Sequence, residues 1–411
     1  MTGPVSRRGL LGLAGAGAAL AGAGAAAGYG VAREPVAAAD DGVVAFRGVR
    51  QAGIVTPAQD RMHFVALDLT ATDRGAVRDL LRRWTAAAER MTAGQDTADD
   101  GALPGNVYAV PADTGEAIGL AASRLTLTFG VGPSFLQKLG LADRRPAPLA
   151  DLPAFQGDRL DPARTGGDLC LQACADDPQV AVHAVRNLVR AGFGVTEVRW
   201  SQLGFGRTSS TSTGQATARN LFGFKDGTNN LKAEEPDLLD QHVWVGDEGP
   251  EWLRGGSYLV ARRIRMHIEP WDRSNLDEQQ RIVGRTKGVG APLSGSNEFD
   301  LADYAATDAA GPVIPDDAHI RLASAQANAG ARILRRGYNF VDGSDGDGHL
   351  DAGLFFVAFV RDPQRGFVPI QRSLAKSDAM SEYLEHNGSA VFAVPPGLSG
   401  PDDYWGAALL A

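Results

Sequence analysis

The chain has 411 residues, enough for two domains or one large duplicated one. Apolar residues make up 44% and charged residues 22%, the balance of a soluble globular protein. A net charge of −9 gives no general basic footprint, which argues against a nucleic-acid partner.

The first residues read as an address. Ser6-Arg7-Arg8-Gly9-Leu10-Leu11 is a twin-arginine pattern, followed by a Gly/Ala/Leu-rich run to about Ala27. A signal peptide is expected over residues 1–39, with Ala37-Ala38-Ala39 or Ala25-Ala26-Ala27 as the cleavage site. The alternative is a membrane anchor, but the strongly apolar core is short for a spanning helix.

Residues 62–69 alternate as a strand, with Phe64 and Ala66 on one face and Val65 and Leu67 on the other. Asp73 offers an N-cap for a helix to about residue 91, whose Val77, Leu80, Leu81 and Trp84 form an apolar stripe. Residues 92–119, rich in Gly and Asp, read as a long loop. Strands are expected at 124–131, 168–174 and 195–203, with a helix over 178–191 after an Asp cap. Cys170 and Cys174 lie four residues apart on one face of a strand, roughly 13 Å from each other. That is too far for a bridge, so both read as buried packing residues.

A similar order recurs later. Strands are expected at 257–268, 354–361 and 391–395, and helices at 275–283 and 369–375. Two runs of strand, helix and paired strands predict an α+β fold of duplicated ferredoxin-like domains, antiparallel β-sheets with peripheral helices. The halves would span 40–210 and 211–411.

Two stretches carry the chemistry. Gly223-Phe224-Lys225-Asp226-Gly227 is a turn-rich loop with one carboxylate between glycines, which let a flat ligand approach the backbone. About ninety residues on come His319, in Asp316-Asp317-Ala318-His319-Ile320-Arg321, and the pair Arg335-Arg336. Together with Gln51-Ala52-Gly53-Ile54, Gly166-Gly167-Asp168, Gly284-Arg285-Thr286-Lys287 and Leu354-Phe355-Phe356, these resemble the dye-decolourising peroxidases, a group of haem enzymes. The resemblance runs from about Gly48 to the C-terminus and is best to the exported branch that includes the deferrochelatase-like proteins.

The resemblance implies one haem b per chain, held mainly by the second half, and a barrel of the dimeric α+β type. It makes His319 the proximal iron ligand. A neutral imidazole is needed for that bond, and a carboxylate accepting from the other N–H strengthens it. Asp308, Glu298, Asp300, Glu382 and Glu385 are all open for that part. Asp226 matches the distal acid that shuttles the peroxide proton. Arg335 matches the distal arginine that stabilises charge on the departing oxygen, with Arg336 as the alternative. Leu354 and Phe356 would form an apolar wall, and Arg285, Thr228 and Asn229 would face the haem propionates. Trp271, Tyr338, Tyr404 and Trp405 are candidate electron relays.

The function implied is a hydrogen-peroxide-dependent haem peroxidase that oxidises dyes, phenols and other reductants through an oxo-ferryl intermediate. The second reading is a deferrochelatase-like protein that releases iron from haem. Retention of Asp226 and Arg335 favours the first, because passive haem carriage needs neither. Twin-arginine export carries folded proteins, which suits an enzyme that acquires its cofactor before crossing the membrane. The expected location is secreted, periplasmic or associated with the cell envelope, with the export machinery as a partner. The sequence leaves room for a homo-oligomer.

Overall fold

A computed structural model describes residues 42–411, which form one unit. The expected leader, its arginine pair and both cleavage sites lie outside the described residues. Among the described residues no helix is long and apolar enough to cross a membrane.

The first half follows the order β1 (Arg61–Leu69), α1 (Arg74–Thr92), β2 (Thr126–Val131), α2 (Pro133–Lys138), β3 (Leu169–Ala175), α3 (Pro178–Ala191) and β4 (Thr196–Arg207). Its strands pair antiparallel in the order β2-β3-β1-β4, the ferredoxin-like arrangement. Asp73 caps α1 by accepting from the Ala76 amide, and Asp177 caps α3 through Gln179. The stripe Val77, Leu80, Leu81 and Trp84 is fully buried against the sheet. Each such side chain stabilises the fold by about 1.5–3 kcal/mol.

The second half begins with α4 (Pro236–His242) and β5 (Ser257–Met266), then α5 (Ile268–Arg273) and α6 (Leu276–Val283). A small hairpin, β6 (Thr307–Asp308) and β7 (Gly311–Pro312), precedes α7 (His319–Leu322) and β8 (Leu334–Arg335). There follow β9 (Tyr338–Ser344), β10 (Leu350–Val360), α8 (Pro363–Ser377), β11 (Leu384–Val394) and α9 (Ala407–Leu410). The order β11-β5-β10-β9 repeats that of the first half. The duplication expected from the element order is present.

Two seams join the halves. Val131 of β2 meets Ala393 of β11, and β4 meets β9 at Phe205 and Asn339. Eight strands therefore close into a barrel, with no free edge between the halves. Met62, Phe64, Ala66, Phe355, Val357 and Phe392 fill its interior, whereas Val65 and Leu67 face the helices. Cys170 and Cys174 are free thiols inside this core.

Several boundaries differ from expectation, among them the starts of β10 at Leu350 rather than 354 and of β11 at Leu384 rather than 391. The second strand starts at Thr126 rather than 124, because Ser123 and Arg124 take left-handed turn conformations. The fourth runs on to Arg207, extended by its pairing with β1 and β9. The last long helix begins at Pro363 behind an Asp362 cap, with Pro369 inside it rather than at its start.

Candidate active site

A large cavity opens on the outer face of β5 and β10, under α8 and the loops of the second half. Its empty volume is about 1930 Å³, open solvent at the mouth included. All eight residues singled out from the sequence line it: Asp226, Thr228, Asn229, Arg285, His319, Arg335, Leu354 and Phe356. Strand alternation places Leu354 and Phe356 toward the cavity, with Phe355 between them inside the barrel.

The acidic loop is built from its own backbone. Asn220 starts it: its side chain accepts from the Phe222 amide at 3.1 Å, and its amide donates to Phe224 O at 3.1 Å. Gly223 and Gly227 both sit at φ +81, and a Cβ on Gly227 would come within 3.0 Å of the Ser209 Cα. The result fixes the Asp226 amide on Ala218 O at 2.9 Å.

Asp226 and Arg335 meet. Arg335 Nη1 lies 2.7 Å from Asp226 Oδ1, and Asn220 Nδ2 donates to Asp226 Oδ2 at 3.2 Å. Asn230, four residues past the acid, clasps the arginine from behind. Its Oδ1 accepts from the Arg335 amide at 2.7 Å, and its Nδ2 donates to Arg335 O at 2.9 Å and to Ser210 O at 3.0 Å. Arg336 turns the other way and is fully buried, donating to Thr56 O and Gln59 Oε1. The structure thus brings Arg335, not Arg336, to the cavity.

His319 opens α7. Its Nδ1 lies 2.7 Å from Asp378 Oδ2, and Asp378 is buried at the end of α8. The Met380 amide donates to Asp378 Oδ1 at 2.9 Å, so both carboxylate oxygens are held. The Ala379 amide donates to Asp317 O at 3.1 Å and ties the two segments together. Burial pulls the imidazole pKa down, but the charge and hydrogen bond of Asp378 outweigh it, and the net direction is up. Arg335 and Asp226 also act on this ring by charge, so all three converge on one space.

The partner of His319 is therefore Asp378, none of Asp308, Glu298, Asp300, Glu382 or Glu385. Glu298 instead pairs with Lys225 and accepts from Thr228 Oγ1 at 3.2 Å. Asp300 accepts from the Ser296 and Asn297 amides, and Glu385 pairs with Arg159. In sequence Asp378 resembles any helix-flanking Asp, such as Asp73 or Asp362, which is why it gave no signal. Asn220 and Asn230 were missed for a similar reason, since an Asn in a loop reads first as a turn residue.

Arg285 lines the cavity while its Nη1 donates to Gly290 O at 2.7 Å and Glu298 O at 3.0 Å. Among the relay candidates, Trp271 stacks on the cavity residue Phe222, ring centres 4.3 Å apart. Tyr338 faces the barrel interior. Tyr404 lies by Arg82 and Trp405 stacks on Phe129, both with the α1 core rather than at the cavity.

The donor set can be tested against haem. Among the described residues no three His, Cys, Asp or Glu side chains gather to hold a bare metal ion. His319 is a single imidazole with Nδ1 engaged, and no described residue bonds its Nε2. That suits iron whose other ligands come from a porphyrin. Ile264, Met266, Val283, Ile370 and Leu374 add apolar walls for a flat ring. The residues fit the group.

Comparison with known proteins agrees. The family models "Dyp-type peroxidase, N-terminal" and "Dyp-type peroxidase, C-terminal" match residues 51–206 and 217–399. A dye-decolorizing peroxidase of Thermobifida fusca is 42% identical over 365 residues, 85% of this chain and 81% of the relative. A deferrochelatase of Escherichia coli K12 is 39% identical over 374 residues, 89% and 86%. The oxyferrous DtpA structure from Streptomyces lividans superposes with a TM-score of 0.82 at 41% identity, covering 90% of this chain and 98% of that one. A DyP-type peroxidase structure from Streptomyces coelicolor gives the same TM-score, identity and coverage. With both halves matched and the site assembled on the second of them, the chain belongs to the Dyp-type peroxidase family.

Proposed function

We propose that this protein is a haem peroxidase that uses hydrogen peroxide to oxidise phenols, dyes and similar small reductants. The observation that carries this reading is the Asp226–Arg335 pair, held at 2.7 Å in the cavity that His319 also lines. When bound, haem supplies the iron that takes up peroxide and passes on its oxidising power.

The chain's own residues do the rest. His319 Nε2 would hold the iron, with Asp378 keeping the proton on Nδ1 so that the Nε2 lone pair is available. Asp226 can take a proton from bound peroxide and return it to the departing oxygen. The Arg335 guanidinium stabilises negative charge on that oxygen, and the Asn230 clasp fixes where its main chain stands. Leu354 and Phe356 keep water from the reacting face. Arg285, Thr228 and Asn229 are suited to the propionate side.

A second reading, iron release from haem, is supported by the deferrochelatase relative. It gives no part to the Asp226–Arg335 pair. Steady-state oxidation of a phenol with peroxide, run beside an assay of free porphyrin and iron, separates the two. Fast phenol oxidation with the porphyrin intact is expected; porphyrin release without phenol turnover would reverse the assignment. The Arg7-Arg8 pattern supports export by the twin-arginine route to the cell envelope or beyond.

A further inference from the structure

Asp226 stands on a segment with little secondary structure of its own. Residues 208–235, between β4 and α4, form no helix or strand apart from one bridge between Arg219 and Lys225. A second loop, residues 284–298 after α6, supplies the support. Arg219 reaches across to it: Nη1 donates to Gly223 O and to Lys287 O, both at 2.7 Å, and Nη2 donates to Gly288 O at 2.7 Å. The second loop is closed on itself by the Arg285 bonds to Gly290 O and Glu298 O. A Cβ on Gly290, at φ +82, would come within 2.8 Å of the Lys225 Cδ, so the two chains are in close contact.

Glu298 ends the second loop and is 9% exposed. One of its carboxylate oxygens takes the Lys225 ammonium, and the other accepts from Thr228 Oγ1 at 3.2 Å. Lys225 directly precedes Asp226, and Thr228 follows it by two. Burial alone would raise the Glu298 pKa, but Lys225, Thr217 and Thr228 hold it below its ordinary value, so the carboxylate keeps its charge. Lys225, Asp226 and Thr228 line the cavity, whereas Glu298 does not. Whatever Glu298 does for the site, it does through the residues it holds.

We propose that Glu298 is a positioning residue for Asp226, clamping the chain on both sides of that acid and so fixing where its carboxylate points. The proposal rests on the peroxidase reading, in which Asp226 moves the peroxide proton. A reacting group misplaced by about 1 Å can lose on the order of a hundredfold in rate, so such a clamp has a measurable part in the chemistry without touching the reacting atoms.

A double-variant cycle tests it. Wild type, Glu298→Gln, Asp226→Asn and the double variant are mixed with hydrogen peroxide by stopped flow, with haem content recorded for each. Glu298→Gln should keep its haem and slow the peroxide reaction by about 10- to 100-fold. In the Asp226→Asn background the same change should cost no more than about twofold, because a residue that acts through Asp226 has nothing left to position. The kcat/KM for a phenol, which reads the later electron donation, should stay within about twofold of wild type. Lys225→Met opens the same clamp from the other side and should repeat this pattern, which decides the matter where the glutamate variant misfolds. Equal slowing in both backgrounds, an unslowed Glu298→Gln, a matching fall in the phenol kcat/KM, or haem loss in both Glu298→Gln and Lys225→Met would each overturn the proposal. A wild type that fails to react with peroxide, or an Asp226→Asn variant as fast as wild type, would overturn the peroxidase reading and the proposal with it.

Discussion

Arg335 and Asp226 form one ion pair, with side chains 26% and 11% exposed, so neither can be removed without changing the other. In Arg335→Leu, Asp226 keeps only the Asn220 contact at 3.2 Å. In Asp226→Asn, the arginine keeps an acceptor oxygen but loses its counter-charge. Loss of an oriented charge-stabilising donor costs about a hundred- to a thousandfold in rate. Loss of a proton shuttle costs on the order of a hundred- to ten-thousandfold. Independent residues would multiply these, giving about 10⁴- to 10⁷-fold for the double variant. Residues in direct contact do not combine in that way. The double variant should fall within about tenfold of the slower single variant, and all three should retain haem. Stopped-flow mixing with hydrogen peroxide, following the ferric Soret band of all four proteins at one pH, measures it. A double variant slowed by the full product would show that the two residues act as separate devices and not as one pair.

Three further outcomes follow from the same structure. Asp378→Asn should keep haem while lowering turnover by about 10- to 100-fold, with a higher ferric/ferrous potential by spectroelectrochemistry, because the weaker acceptor reduces donation by His319. Asp113 holds the 92–119 loop through His183 Nε2 at 2.7 Å and the Gly115 and Thr97 amides. Burial alone would raise its pKa, but these donors bring it from 3.8 to about 2. Its contribution to stability, about 1–2 kcal/mol, is complete above the unfolded value and is lost as pH falls toward 2. Urea unfolding of wild type and Asp113→Asn over a pH series should show a gap that closes between about pH 4 and 2. Replacing Arg7 and Arg8 together with Lys should trap the precursor in the cytoplasm, read by fractionation and immunoblot.

Much of this was legible in the chain, and the parts that were not share a cause. Helices with an Asp cap could be read locally, as at Asp73 and Asp177. Strand alternation correctly separated Arg335 from Arg336 and Leu354 from Phe355, because neighbouring side chains point to opposite faces. The seams that close the barrel were not legible: Val131 and Ala393 are 262 positions apart, and nothing local in either strand names the other. Asp378 is 59 positions from His319 and becomes its partner only when α8 is laid across the sheet. Asn230 likewise acquires its part by meeting Arg335 across 105 positions. Local chemistry marks caps and faces; partners chosen by tertiary packing leave no such mark.

His319 is assigned to haem iron in the cavity it shares with Asp226 and Arg335. The most direct measurement is the absorption spectrum and haem content of His319→Ala, purified beside wild type after growth with ample haem. A strong Soret band at one haem per chain is expected in wild type, and lost or weakly ligated haem in the variant. Full occupancy with an unchanged spectrum in His319→Ala would contradict it.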